Sequence, residues 1–156
     1  MKKIIVTVVA ILLTANCLGY AEDADVAFGV KLADAKGKQA DAKLIFSDSA
    51  KSVLIQVSDR DLASIPYENL DKLSYEYTKK HRITTGAVVM IFSLGAGAVV
   101  MLTKSKSNWL YIDFHEQNEK KTVVLKLQKR DLRKIFDAAK SHTGKEVNDL
   151  GNSGKG

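Results

Sequence analysis

The residue types that most often carry catalysis or bind metals are present in this chain, but they are far apart. No two of the histidines His81, His115 and His142 stand at a spacing such as His-x3-His, which would place both on one metal ion. We therefore predict three ordinary surface histidines. Asp59 and Asp61, in "SDRD", have no third ligand beside them, and aspartates at this spacing are typical of a tight turn.

Motifs for nucleophilic or nucleotide chemistry are also incomplete. "TGK" at 143–145 matches only the end of a phosphate-binding loop, because the upstream glycine is missing and no strand precedes it. Ser47, Ser49 and Ser52 lie around a predicted turn and not at the strand-to-helix elbow of a hydrolase. The sequence therefore predicts a protein that is not an enzyme and that has no cofactor and no metal.

Four aromatic residues form the one aromatic-rich zone, on strands that flank a long apolar run: Tyr75, Tyr77, Trp109 and Tyr111. Aromatic side chains favour half-buried sheet faces, which is the simpler interpretation. The other is an aromatic and basic collar at a membrane surface, since such rings gather at membrane–water interfaces.

The elements that must position these residues follow from hydrophobic periodicity. Alternation or β-branched runs predict strands at 42–47, 52–58, 72–80, 108–115 and 122–128, and the last two are expected to form a hairpin. Residues 132–139 follow a helical period, with Leu132, Ile135, Phe136 and Ala139 on one stripe. Gly144 suits the left-handed position after the helix.

The apolar run from Ile83 to Thr103 has 21 residues and no charge. As a helix it would be about 32 Å long, which matches a bilayer core of about 30 Å. The sequence predicts a membrane-type segment here. The predicted membrane-contact residues are Val88, Val89, Ile91, Phe92, Leu94, Val99, Val100 and Leu102.

The flanks of the run carry residues that anchor membrane segments at the interface. The predicted interface anchors are Lys79, Lys80, Arg82, Lys104, Lys106 and Trp109. Three arrangements stay open: a single spanning helix, a re-entrant hairpin that reverses at Gly95 and Gly97, and burial inside a soluble core. A single crossing would place the strands of one sheet on opposite sides of the membrane, so Gly95 and Gly97 are predicted hinges.

The N-terminus has the layout of a secretory signal. Lys2 and Lys3 precede the apolar stretch 4–13, and Gly19 and Ala21 are small residues suited to cleavage after Ala21. A retained N-terminal anchor and lipidation of Cys17 are the alternatives.

Residues 77–156 carry 15 basic and 7 acidic groups, which favours an anionic lipid surface as partner. An exported protein rarely meets nucleic acid, so no nucleic-acid partner is predicted.

The order of elements, together with the phrase "IPYENLDKLSYEY" at 65–77, resembles pleckstrin-homology-like or GRAM-like bacterial domains. The resemblance would cover about 42–147. It implies an antiparallel sheet closed at one end by a C-terminal helix, and binding of lipid or protein instead of catalysis. No binding residue carries over, because no loop here has the signature of the family's lipid-contacting loops.

These observations combine into one expectation. The fold class is α+β, a small bent antiparallel sheet or partial barrel with a C-terminal amphipathic helix, interrupted by the apolar membrane-type segment. The function is a non-enzymatic binding or scaffolding module on the periplasmic side of a bacterial envelope membrane. The alternative is a subunit or stability factor of an envelope protein complex that uses 83–103 as a protein-packing or transmembrane helix. The expected organisation is a signal peptide at 1–21, a flexible leader at 22–41 with one short strand at 27–32, a β domain at 42–147 with the apolar insertion at 83–103, and a disordered tail at 148–156.

Overall fold

The computed structural model describes residues 24–33, 39–80, 88–89 and 102–151. Within these ranges the chain forms a sheet of nine strands, one α-helix and two short 3-10 turns. The strands are β1 (Val26–Ala33), β2 (Gln39–Ser47), β3 (Ser52–Val57), β4 (Arg60–Pro66), β5 (Leu70–Lys80), β6 (Val88–Val89), β7 (Leu102–Glu116), β8 (Glu119–Leu127) and β9 (Val147–Asp149). The helix, α1, spans Leu132–Thr143, and the 3-10 turns span Tyr67–Asn69 and Lys129–Asp131.

The strand order is β4-β3-β2-β1-β8-β7-β5-β9, and β6 pairs separately with β8. Most neighbours are antiparallel, but β9 runs parallel to β5 and β6 runs parallel to β8. The predicted fold class was therefore wrong in two respects. The sheet is large and mixed, not small and antiparallel, and the membrane-type helix that should interrupt it is not found among the described residues.

Tight turns account for much of the antiparallel pairing. Ser58 and Asp59, between β3 and β4, have φ of 51° and 60°. Gln117 and Asn118, between β7 and β8, have φ of 51° and 66°. Two consecutive residues with positive φ form the hairpin turn whose twist matches that of paired strands, and Asp and Asn tolerate this conformation well.

One hydrophobic core joins the two halves of the sheet. It includes Phe46 and Ile55 from the β1–β4 half and Leu110 and Leu125 from the other half. Strands β1 and β8 connect the halves through only two register pairs, and one of these is Leu32 with Leu125. The core, more than the backbone pairing, therefore holds the halves together.

Helix α1 closes one side of this core. Ile135, Ala138 and Ala139 are its buried residues, and all three belong to the core cluster. The helix ends at Gly144, which has φ of 70° and donates its backbone N–H to the carbonyl of Lys140. The predicted helical stripe and its glycine stop are therefore confirmed.

The apolar run is the main correction to the sequence interpretation. Its described parts are extended: Val88–Val89 form β6 beside β8, and Leu102 begins β7. In the described ranges, no helix combines the length and the apolar character that a membrane crossing requires, so the prediction of a transmembrane helix was wrong. Valine-rich stretches favour strands, and a fully buried strand and an apolar helix look alike in sequence.

Two strands lie outside the predicted β domain 42–147 or at its border. Strand β1 lies within the predicted leader 22–41 and pairs with β2 over eight register positions, from Val26 with Phe46 to Ala33 with Gln39. Strand β9 overlaps the predicted tail and pairs with β5 from Leu73 to Tyr75. Strand β1 also places Val30 and Leu32 in the core, whereas β9 is a strand of three residues that is held by β5.

Candidate ligand-binding cleft

A cleft lies between the ends of β5, β7 and β8 and the start of α1, with a volume of about 490 Å³. This cleft is the strongest candidate for a functional site. Its volume falls within the range of about 300–1,000 Å³ that is usual for small-molecule pockets. The residues that line it are Tyr75, Tyr77, Lys106, Ser107, Asn108, Lys126, Leu127, Lys129 and Leu132.

The strand register brings the aromatic and polar residues of the cleft together. Tyr77 on β5 is directly opposite Asn108 on β7, and Asn108 is also opposite Leu127 on β8. Residues opposite one another in an antiparallel ladder project from the same face. Tyr77, Asn108 and Leu127 therefore share one face of three adjacent strands. Ser107 and Lys126 are at alternate positions and reach the cleft from the other face.

A hydrogen bond fixes the orientation of two polar groups in the cleft. The Tyr75 hydroxyl donates to Oδ1 of Asn108 over 2.8 Å, which leaves the Asn108 Nδ2 group as a donor. Burial, followed by the charges of Asp149 and Tyr77, raises the pKa of the Tyr75 hydroxyl. The hydroxyl therefore keeps its proton at neutral pH and acts as a donor, not as a base.

Three lysines give the cleft its positive character. Lys106 lies with its Nζ 5.8 Å from the centre of the Tyr77 ring, a cation–π arrangement. Lys126 and Lys129 line the same cleft from β8 and from the 3-10 turn before α1. Tyr77 is 56% exposed, so its ring is accessible to a ligand.

Helix α1 supports the aromatic wall from behind. The Phe136 ring meets Tyr75 edge-on, with ring centres 5.3 Å apart and planes at 66°. An edge-to-face contact of this kind restricts the tyrosine ring without occupying the cleft. The position of the wall is therefore coupled to the packing of the helix.

The chemistry available in this cleft is recognition. The cleft offers ammonium groups, an amide donor, a serine hydroxyl and two aromatic rings, and no histidine, cysteine or carboxylate lines it. Across the part of the chain that the structure describes, no group of three or more His, Cys, Asp or Glu side chains is arranged to hold a metal ion. An anion with an apolar body is the ligand that matches these groups.

A second polar cluster joins the end of α1 to the turn between β2 and β3. His142 Nδ1 lies 2.7 Å from Asp48 Oδ2, and these two side chains are only 13% and 16% exposed. The His142 ring also stacks on Phe46, at 6.0 Å between centres and 14° between planes. We predicted a surface histidine here, but the side chain packs against the core and binds a carboxylate, so its role is structural.

Of the other two histidines, the structure describes His115 but not His81. His115 Nδ1 lies 2.5 Å from Asp71 Oδ2, with both side chains partly exposed, across the β5–β7 pair. His81 lies outside the described residues. Asp59 receives the Lys43 ammonium at 2.7 Å and lies in the predicted turn, which agrees with the turn interpretation of "SDRD".

The predicted interface anchors lie at different places in the fold. Lys106 contributes to the cleft, whereas Trp109 is completely buried and donates its Nε1–H to the Thr78 carbonyl over 3.1 Å. Lys79 and Lys80 end β5, and Lys104 lies early in β7. A fully buried ring presents no surface to lipid.

Of the remaining predicted site residues, some lie in described strands and the others lie outside the described residues. Val88 and Val89 lie in β6, and Leu102 lies in β7. The others are outside the described residues: Arg82, Ile91, Phe92, Leu94, Gly95, Gly97, Val99 and Val100.

Sequence reasoning found Tyr75, Tyr77 and Lys106 but missed Asn108, Lys126 and Lys129 as members of one site. The register between β5 and β7 that places Tyr77 opposite Asn108 joins strands separated by the long apolar run. Local periodicity carries no information on such a register. The predicted hairpin of β7 and β8 was the one available signal that Asn108 and Leu127 are neighbours.

Comparison with known proteins found no relative of this chain. No family model matches the sequence, and no match is found among curated proteins.

Proposed function

We propose that this protein is a non-catalytic binding module of the bacterial envelope, exported by its N-terminal signal, and that it holds an anionic ligand in the cleft. The observation that carries the proposal is the convergence of Lys106, Lys126 and Lys129 around one cavity with an exposed tyrosine. Lys106 lies on β7, whereas Lys126 and Lys129 lie near the end of β8 and in the turn that follows it, so the pairing of β7 with β8 brings them together.

The polar and apolar parts of the cleft match different parts of one ligand. The lysine ammonium groups and the Asn108 amide suit a phosphate or carboxylate group, since charge-assisted hydrogen bonds are the strong ones. Tyr77, Leu127 and Leu132 offer apolar surface for the remainder. A lipid headgroup with its glycerol backbone and a free small organic phosphate both have this chemistry.

A peripheral position at an anionic lipid surface is part of the proposal. Lysines near such a surface contribute about 1 kcal/mol each, without any crossing of the membrane. The basic C-terminal part of the chain and the three cleft lysines support this placement.

The resemblance to pleckstrin-homology-like domains remains part of the proposal. A run of antiparallel strands, a second set of strands and a helix near the C-terminus are the features that support it. Domains of this kind bind ligands and do not catalyse reactions, which agrees with the residues of the cleft.

Vesicle binding with paired lysine variants tests the proposal. The wild-type protein is mixed with phosphatidylglycerol vesicles or with phosphatidylcholine vesicles, and the bound fraction is measured by sedimentation. We expect binding to phosphatidylglycerol alone. The double variant Lys106→Gln/Lys129→Gln should bind roughly thirtyfold more weakly, from about 1 kcal/mol per lysine.

The matched control removes the same charge elsewhere. Lys72 and Lys120 are exposed and do not line the cleft. Lys72→Gln/Lys120→Gln should therefore bind almost as well as the wild type. Equal weakening of both double variants would contradict a specific site in the cleft. Competition by soluble glycerol phosphate at fixed ionic strength would identify a free phosphate, and not the lipid surface, as the preferred ligand.

A further inference from the structure

The two ends of the ladder formed by β5, β7 and β8 carry opposite charge. The register places Tyr77 opposite Asn108 at one end and Leu70 opposite Phe114 at the other. From Asn108 to Phe114 the strand rises by about 20 Å. We call the first end the cleft end, made of residues 75–78, 106–109 and 126–134. We call the second the turn end, made of residues 68–72 and 113–121.

The cleft end is basic and the turn end is acidic. The cleft end has six basic and two acidic residues, and its basic residues are Lys106, Lys126, Lys129, Arg130, Arg133 and Lys134. The turn end has three basic and five acidic residues, and its acidic residues are Glu68, Asp71, Asp113, Glu116 and Glu119. Asp137 on α1 and Asp149 beside Tyr75 lie next to the cleft end and lower its net charge without reversing it.

Most cations of the cleft end have no carboxylate beside them. Arg130 is paired through its Nε with Oδ2 of Asp131 at 3.3 Å. The other five basic residues of this end form no ion pair within the ranges that the structure describes. At the turn end, by contrast, Lys121 is bonded to Glu116. Neighbouring like charges without counter-ions repel one another, and an anionic partner removes that repulsion.

An exposed aromatic ring lies among these cations. Tyr77 is the one large apolar side chain that is exposed among the described residues. Lys106 lies over its ring, and Leu127 and Leu132 line the same cleft. Tyrosine rings are enriched at the level of lipid headgroups, where basic side chains meet the phosphates. A bilayer of anionic phospholipid therefore matches this surface better than a soluble polyanion, which offers no apolar layer to the ring.

We infer that the cleft end is the membrane-facing end of the molecule, and that Arg133 and Lys134 contact anionic phospholipid together with the cleft lysines. Leu132 lines the cleft, so the first turn of α1 belongs to the same surface. Arg133 and Lys134 are exposed on that turn and do not line the cleft. The acidic turn end then points away from the membrane. The inference rests on the lipid placement in the proposed function and adds which surface meets the lipid.

A further pair of charge variants tests this surface. Arg133→Gln/Lys134→Gln should bind phosphatidylglycerol vesicles roughly thirtyfold more weakly than the wild type, at about fivefold per basic residue. Lys72→Gln/Lys120→Gln removes the same charge at the turn end and should bind almost as well as the wild type. Free glycerol phosphate, titrated by NMR, should bind Arg133→Gln/Lys134→Gln as it binds the wild type, because neither residue lines the cleft. Both side chains are exposed and unpaired among the described residues, so the variant should keep the wild-type unfolding midpoint.

The outcomes separate this inference from the proposed function. Unchanged vesicle binding by Arg133→Gln/Lys134→Gln, with weakened binding by Lys106→Gln/Lys129→Gln, would overturn the inference and leave the cleft as the site. The reverse result would support the membrane-facing surface and contradict a ligand in the cleft. Displacement of the wild type from vesicles by polyglutamate at equal charge would also overturn the inference, since an acidic protein would then be the better partner.

A pair of labels tests the orientation itself. Gln128→Cys at the cleft end and Glu119→Cys at the turn end are exposed positions at opposite ends of β8. Each is made in the full-length chain with Cys17→Ser and carries the same fluorophore. Phosphatidylglycerol vesicles with nitroxide headgroups should quench the label at 128 and leave the label at 119 unquenched, because about 30 Å of strand separates the two. Equal quenching of both labels, or stronger quenching at 119, would overturn the inference.

Discussion

Tyr67 lies in the 3-10 turn that follows β4, with its ring packed against the edge of the core. Its hydroxyl is buried and has no hydrogen-bond partner among the described residues. Burial, and then the carboxylates of Asp48 and Asp25, raises the pKa of this hydroxyl to about 12. The phenol is therefore held in its protonated form, in surroundings that oppose a negative charge.

Tyr67→Phe should make the protein more resistant to alkaline pH. Ionisation of the free tyrosine in the unfolded chain begins near pH 10, whereas the folded protein retains the proton until about pH 12. Wild-type stability should therefore fall between pH 10 and 12, and Tyr67→Phe should remove that part of the fall. Urea unfolding at pH 8 and pH 11 measures the difference. Tyr77→Phe, an exposed phenol, should show no such gain.

The Asp48–His142 pair should contribute a measurable coupling energy. The two side chains are mostly buried, and such pairs are less screened by water than exposed ones. A double-mutant cycle with Asp48→Ala and His142→Ala should give about 1–2 kcal/mol at neutral pH. The Lys31–Asp41 pair, 44% and 90% exposed, is the control and should give less than about 0.5 kcal/mol. Equal values in the two cycles would contradict a structural role for His142.

Helix α1 and the β7–β8 hairpin are the elements that the sequence predicted best. Both depend on local patterns: a helical stripe with a glycine stop, and two alternating runs around a polar turn. Strand β1 was predicted only in part, as a short strand over 27–32 within a flexible leader. Its pairing with β2 and β8, which lie on its two sides, joins it to the sheet. Propensity alone does not contain this information.

Gly144→Ala should destabilise the protein by about 1 kcal/mol. Gly144 ends α1 with a φ of 70°, and an added Cβ would meet no atom within 4 Å, so the cost comes from the backbone alone. Gly29→Ala is the matched control. Gly29 lies in β1 without positive φ, and its Cβ would make an ordinary contact at 3.9 Å with Gln128. We expect that variant to be neutral or slightly stabilised in chemical denaturation.

At the scale of the whole molecule, the two halves of the sheet should unfold together. They share a single core although only two register pairs link β1 to β8. Ile55→Ala, a fully buried change in the β1–β4 half, should lower stability by about 2–5 kcal/mol. Trp109 fluorescence, which reports on the other half, should show the full loss, with the same midpoint as far-UV circular dichroism.

The control is Leu54→Ala, at a half-buried neighbour, which should lower the free energy of unfolding by less. A Trp109 transition that Ile55→Ala does not move would show that the halves unfold separately.

The sequence predicted a binding module without catalytic groups, and it did not predict the candidate cleft. Tyr75 and Tyr77 were visible as an aromatic zone, and Lys106 as a flanking cation. Lys126 and Lys129 had no local signal, because they reach the cleft through the pairing of β8 with β7. The apolar run misled the interpretation for a related reason: length and hydropathy do not distinguish a membrane helix from apolar chain that is extended, as it is at Val88–Val89 and Leu102.

Strand β9 has a consequence for the behaviour of this protein at high concentration. Its three residues run beside the middle of β5, and the Leu150 N–H beyond them donates to the Tyr75 carbonyl over 2.8 Å. A sheet edge with free backbone groups is a template for addition of strands from other chains, which leads to aggregation. The short C-terminal strand covers Leu73 to Tyr75 of that edge, so we expect its removal to increase self-association at high concentration.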